Sequence, residues 1–105
     1  MAYLHKVLGD PVRLRIVNML LASPSCVKAL CAVLDMSQPR VSRHVAVLKA
    51  ANIIDSRREG KFVFFSLQYE KECEGLFQCI INARKDFELL REDVKRLQNF
   101  QKEFC

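Results

Sequence analysis

The sequence predicts a mainly α fold that carries one small β-hairpin, and three observations predict it. Apolar residues recur at three- and four-residue spacing through most of the chain, the period of a helix face. One central stretch, Phe62-Val63-Phe64-Phe65, is instead dense in strand-forming side chains. From Glu70 to Phe104 there is no proline and no obvious break beyond Gly75, so the periodic pattern there reads as one long helix.

With 105 residues and 12.1 kDa, the chain has room for a single domain, 1–105, small enough that a partner subunit would help complete its core. Half of the residues are apolar, which excludes a disordered chain. The net charge of +5 is unevenly placed: residues 1–67 hold ten Lys/Arg against four Asp/Glu, and residues 68–105 hold seven against eight. The basic excess therefore lies where a phosphate-facing surface would need it. There is no run of eighteen apolar residues and no signal-peptide pattern in Met1 to Lys6, so a soluble, cytoplasmic protein without membrane contact is expected. The five cysteines, at 26, 31, 73, 79 and 105, form neither a Cys-x-x-Cys pair nor a structural-zinc spacing. In a reducing compartment they are expected to be mostly thiols.

In chain order, residues 3–8 form a short helix that Gly9 can end. Asp10 can cap the next helix and Pro11 suits its first position; Val12 to Leu21 then continue with apolar residues on nearly every side, as a core helix does. Arg13 and Arg15 interrupt that pattern and are expected to snorkel or to pair with carboxylates. Ala22 to Ser25 break the helix. Val27, Leu30, Cys31 and Leu34 then repeat at i, i+3, i+4 and i+7, giving a third short helix.

Asp35-Met36-Ser37 is a tight connection into a helix running to Ala51. Ser37 suits its N-cap and Pro39 its first turn. Val41, Val45 and Leu48 share one face for burial, while Arg40, Arg43 and, towards the edge, His44 lie opposite. Arg40 opposes the dipole of that first turn, which typically costs ~0.3–1 kcal/mol and hints at an anionic partner. An arginine fork matches a phosphate or a guanine edge; the alternative is a merely solvated face. A short helix, a tight turn and a basic helix over about 27–51 make a helix-turn-helix.

After Asn52, Ile53 to Arg57 and Lys61 to Leu67 read as two strands joined around Glu59-Gly60, a hairpin over 53–67. Arg57, Arg58 and Lys61 cluster at its tip, where they can follow a phosphate backbone or reach into the minor groove. In the region 70–104, Ala83, Phe87, Leu90, Val94, Leu97 and Phe104 keep a spacing of three or four, with Gln101 at the skipped step. A helix of roughly thirty residues spans ~45 Å, more than a small monomer covers. A second copy would bury it, and a two-fold dimer would present two recognition helices.

Three strings carry a family resemblance: Gly9-Asp10-Pro11-Val12-Arg13-Leu14-Arg15-Ile16; Leu34-Asp35-Met36-Ser37-Gln38-Pro39-Arg40-Val41-Ser42-Arg43-His44-Val45; and Arg57-Arg58-Glu59-Gly60-Lys61-Phe62-Val63-Phe64-Phe65. Residues 3–67 resemble the ArsR/SmtB family of bacterial metal- and metalloid-responsive repressors. The resemblance implies a homodimeric winged helix-turn-helix protein that binds an inverted-repeat operator in double-stranded DNA and leaves it when an inducer binds. It implies groove and phosphate contacts from Gln38, Arg40, Ser42, Arg43 and His44, with Arg57, Arg58 and Lys61 on the wing. His44 belongs to that DNA-reading string and has no second histidine nearby, which sets it apart from a metal ligand. Asp35 replaces the glycine usual in the family's turn.

The sensing half departs from the family. Arsenic- and cadmium-responsive members carry Cys-x-Cys in the third helix; Cys26 matches the first cysteine, but Lys28 stands at the second. Zinc-sensing members place histidine and acidic ligands along the last helix, and no histidine follows His44 here. Redox-sensing members pair cysteines of the second and fifth helices; Asn18 occupies roughly the first position, while Cys73 and Cys79 lie near the second. No cofactor is expected for DNA binding. A soft metal or metalloid ion, or a thiol oxidant, is the expected inducer, at a thiolate site drawn from Cys26, Cys73, Cys79 and Cys105. For Cys31, on the apolar stripe, the role of a small buried hydrophobe is favoured. The alternative function is a winged-helix protein-interaction module without operator binding. Two distant histidines, no phosphate-binding glycine loop and no clustered carboxylates argue against an enzyme.

Overall fold

A computed structural model of the protein describes the backbone of residues 7–68 and 71–104, and the side chains of 7–68 and 74–101. Val7 and Leu8 are helical and buried; the remainder of the expected 3–8 helix, with His5, lies outside the described residues.

Helix α1, Pro11–Ala22, starts as its sequence dictates. The Asp10 carboxylate accepts from the N–H of Val12 at 2.8 Å and of Arg13 at 3.4 Å, and Pro11 fills a position whose missing N–H is no loss. Five consecutive residues, Ile16 to Leu20, are buried, so α1 crosses the middle of the core. A two-residue strand, β1 (Ser25–Cys26), follows. It pairs antiparallel with a later strand at Ser25↔Phe65 and Cys26↔Phe64, where sequence periodicity had only a break and a helix start.

Helices α2 (Val27–Leu34) and α3 (Gln38–Ala50) form the helix-turn-helix. Asp35 makes the turn in the left-handed region, at φ 55° and ψ 50°, and Met36 N–H donates back to the Cys31 carbonyl at 3.2 Å. Glycine takes this conformation without strain and aspartate is among the few others that tolerate it, so the turn survives the replacement. Ser37 holds the N-cap position but makes no side-chain capping bond. Pro39 sits at the second helical position and has no N–H to offer it.

The wing consists of β2 (Ile54–Glu59) and β3 (Phe62–Leu67), antiparallel with Glu59 opposite Phe62; β3 is the centre of a three-stranded sheet in the order β1-β3-β2. The connection is Gly60-Lys61. Gly60 lies at φ +61° and Lys61 is not among the positive-φ residues, the pattern of a type II′ hairpin turn, which needs glycine first.

The single helix expected over 70–104 is two helices, α4 (Lys71–Ala83) and α5 (Glu88–Phe104). Polar contacts from distant parts of the chain account for the break. Arg84 donates to the Asn18 side-chain oxygen at 2.6 Å and to its carbonyl at 2.8 Å, and the Asn18 amide donates to the Leu90 carbonyl at 2.9 Å. Arg91 donates to the carbonyls of Arg84 and Lys85 at 2.6 and 2.8 Å, closing the exposed end of α4.

The break also changes what the apolar seam does. Leu90 and Leu97 are buried within the chain's own core, Phe100 packs against it, and Gln101 donates to the Pro24 carbonyl at 2.9 Å. Helices α1 and α2 thus cover Leu90 and Leu97 from within the chain, while Phe87, near the start of the seam, stays exposed. Asp93, fully buried on the same face, takes two hydrogen bonds from Arg15, at 2.7 and 2.9 Å, the carboxylate pairing expected of that arginine.

Candidate DNA interface

Helix α3 is anchored by one face and presents the other. Val41, Val45 and Leu48 are at most 5% exposed, which fixes its rotation; Gln38, Arg40, Ser42 and Arg43 are consequently exposed together. Among the described residues no carboxylate lies within ion-pairing distance of Arg40 or Arg43. Two exposed arginines in the first half of the helix, without a counter-ion among the described residues, have the chemistry to meet an external anion.

His44 differs from its neighbours. It is half-buried, and its Nδ1 lies 3.5 Å from Nη1 of Arg13, whose Nε donates to the Val7 carbonyl. The start of α1 thus grips the recognition helix. Burial works against ionisation of Asp10 at the same corner, but hydrogen bonds from Val12 and Arg13 N–H and the nearby Arg13 guanidinium hold its carboxyl below the usual range. Sequence reading assigned a DNA role to His44 and none to its link with Arg13, 31 residues away.

The wing cations divide by face. Residues directly opposite in an antiparallel pair project to the same side, and successive residues alternate. Ile54, Ser56 and Arg58 share a side with Leu67, Phe65 and Val63; Asp55, Arg57 and Glu59 share the other with Ser66, Phe64 and Phe62. Lys49, at the end of α3, donates to Ser56 Oγ at 2.8 Å, so the first side is the one that adjoins the recognition helix. Arg58 belongs to it. Arg57 lies on the opposite side and pairs with Glu59 at 2.5 Å, in an exposed pair of the kind worth about 0–1 kcal/mol. Lys61 is exposed at the turn.

Of the candidate sensing cysteines, the two with described side chains, Cys26 and Cys79, lie on different elements. Cys26 is 2% exposed, because β1 pairing and the start of α2 enclose it. Cys31 is half-buried; burial, reinforced by the nearby Cys26, pushes its thiol up and keeps it protonated. Cys79 is exposed on α4. Cys73 and Cys105 lie outside the described side chains. Among the described residues no three His, Cys, Asp or Glu side chains are placed to hold a metal ion, and no helix is long and apolar enough to cross a membrane.

Comparison with known proteins places this geometry. Residues 10–56 match the family model described as bacterial regulatory protein, arsR family. The chain is 43% identical over 65 residues to the arsenical resistance operon repressor of Escherichia coli, a match covering 61% of this chain and 56% of that protein. It is 33% identical over 96 residues to an arsenic resistance transcriptional regulator of Pseudomonas putida, covering 88% of this chain and 73% of the relative. The solved structure of the transcriptional repressor BigR from Xylella fastidiosa superposes with a TM-score of 0.70 at 30% identity, over 82% of this chain and 84% of that one. With its recognition helix, wing and this breadth of similarity, the chain belongs to the arsR family of bacterial regulatory proteins, which are regulators and not enzymes.

Proposed function

We propose that the protein is a homodimeric transcriptional repressor that binds an inverted-repeat operator in double-stranded DNA and is released by an inducer. The observation that carries this reading is the exposed quartet Gln38, Arg40, Ser42 and Arg43 on a helix whose other face is locked into the core. Gln38 and the arginines are suited to base edges in a major groove, and Ser42 to a phosphate or a base. Arg58, with Lys61, extends the contact along the backbone.

Dimerisation is supported by an apolar groove of about 230 Å³ between α1 and the α4–α5 junction, lined by Leu14, Ala83, Phe87, Leu89 and Leu90. Phe87 is 60% and Leu89 54% exposed, two large apolar side chains close together on the surface of the single chain. The inducer is a soft metalloid or metal ion, or a thiol oxidant, acting on cysteine sulfur. The names of the arsenical-resistance relatives and the exposed thiol of Cys79 support that half.

A gel shift on the DNA upstream of the protein's own gene tests the reading. Arg40→Ala and Arg43→Ala should each weaken the complex about tenfold or more, since a good arginine contact contributes ~1–3 kcal/mol. Unchanged binding in both variants would remove α3 as the reader. Titrating the same complex with arsenite, in wild type and in Cys79→Ser, should release the DNA only in the wild type if Cys79 is part of the sensor; release in both excludes it.

A further inference from the structure

We propose that Arg13 is a positioning residue for operator binding: it holds His44 in the tautomer that offers Nε2–H as a neutral donor to a DNA phosphate. The inference rests on the DNA-binding reading above and adds a residue of α1 to the recognition apparatus.

The chemistry follows from what each group can do. A guanidinium has five N–H donors and no acceptor. Nη1 of Arg13 faces Nδ1 of His44 at 3.5 Å; a hydrogen bond between them makes that nitrogen the acceptor, and a neutral imidazole that accepts at Nδ1 carries its proton on Nε2. Arg13 is itself fixed. Its Nε donates to the carbonyl of Val7, a buried residue, so the planar fork aims Nη1 at α3 and not into solvent. The Asp10 carboxylate beside both side chains balances the Arg13 charge and is tied down by its own capping bonds.

The placement completes the argument. His44 follows Arg43 directly and lies one turn after Arg40, on the helix that carries the exposed polar quartet. Its ring is half-buried, with the Nδ1 edge against α1. Among the described residues Nε2 has no hydrogen-bond partner, so it is the nitrogen left for an outside acceptor. Phosphate oxygens accept and never donate, so a ring locked as an Nε2–H donor is matched to a phosphate, while the other tautomer would present a lone pair to an anion. This is the logic by which a second-sphere partner on one ring nitrogen sets what the other can do.

Two measurements test the relay. Ring-nitrogen NMR of the free protein, near pH 8, should show His44 Nδ1 as unprotonated and Nε2 as protonated, with the two resonances moving towards each other in Arg13→Ala as tautomers mix. Binding to the duplex upstream of the protein's own gene should weaken about tenfold or more in His44→Ala, the effect of losing one hydrogen bond to a charged group, and by a smaller factor of about threefold to tenfold in Arg13→Ala, which leaves that donor present but no longer fixed. Arg13→Ala should have no further effect in the His44→Ala background, and Arg13→Lys, whose single ammonium cannot bond Val7 and His44 together, should lose affinity only where His44 is present. Additive losses, or a protonated Nδ1 in the wild type, overturn the relay while operator binding stands. A wild type that ignores the duplex overturns the DNA-binding reading itself.

Discussion

Asp93 shows how much a single residue here depends on a partner elsewhere in the sequence. Its carboxylate is fully buried and takes both donors of Arg15 across 78 residues, and that pairing holds the Arg15 guanidinium above its ordinary value, against the effect of burial. Removing one member of a buried pair leaves the other without compensation. Asp93→Ala should therefore destabilise the fold by about 3 kcal/mol, the low end of the usual 3–5 because Arg15 remains 21% exposed, measured by urea unfolding. Adding Arg15→Met to that variant should recover part of the loss; a double variant as unstable as the single one would contradict the account. The type of partner was legible in the sequence, since an arginine on a core helix needs a carboxylate, but its identity was not. Similarly, Asp35 could be read as a replacement for glycine, but only its φ of 55° shows that the turn keeps its left-handed geometry.

At the scale of elements, α2, α3 and the hairpin were legible because each has a period of its own. The burial of Val41, Val45 and Leu48 follows directly from i, i+4, i+7 spacing. Elements shaped by distant contacts were not legible. The two residues of β1 are too short for any period, and the α4–α5 break depends on Asn18 reaching Arg84 across 66 residues. The wing was legible as a hairpin, but not the division of its cations, which needs the register. That division predicts unequal roles. Arg58→Ala should weaken operator binding and lower its salt dependence by about one counter-ion, while Arg57→Ala, which removes a partner of Glu59 on the far face, should change neither. Equal losses in a fluorescence-anisotropy titration would contradict the assignment.

The whole molecule separates into a basic part that carries the reader and a near-neutral C-terminal part. The sequence suggested a dimer because the seam of 83–104 looked too long to bury. The fold buries Leu90 and Leu97 of that seam internally and leaves Phe87, together with Leu89, exposed at the α4–α5 junction. If the second copy sits there, Phe87→Glu with Leu89→Glu should convert a dimer to a folded monomer in sedimentation velocity. A variant that still sediments as a dimer would place the interface elsewhere. A two-fold dimer matters for the reader, because two recognition helices on one face double the phosphate contacts available to an inverted repeat.

The central claim is that the exposed face of α3 binds DNA through its arginines, and salt dependence tests it most directly. Operator affinity should fall steeply and linearly on a logarithmic plot against salt concentration, and the slope should become shallower by about one for each phosphate-contacting arginine removed, Arg40 or Arg43. Identical slopes in wild type, Arg40→Ala and Arg43→Ala would contradict the claim, because the cations that the fold presents without a counter-ion would then not be meeting the phosphates.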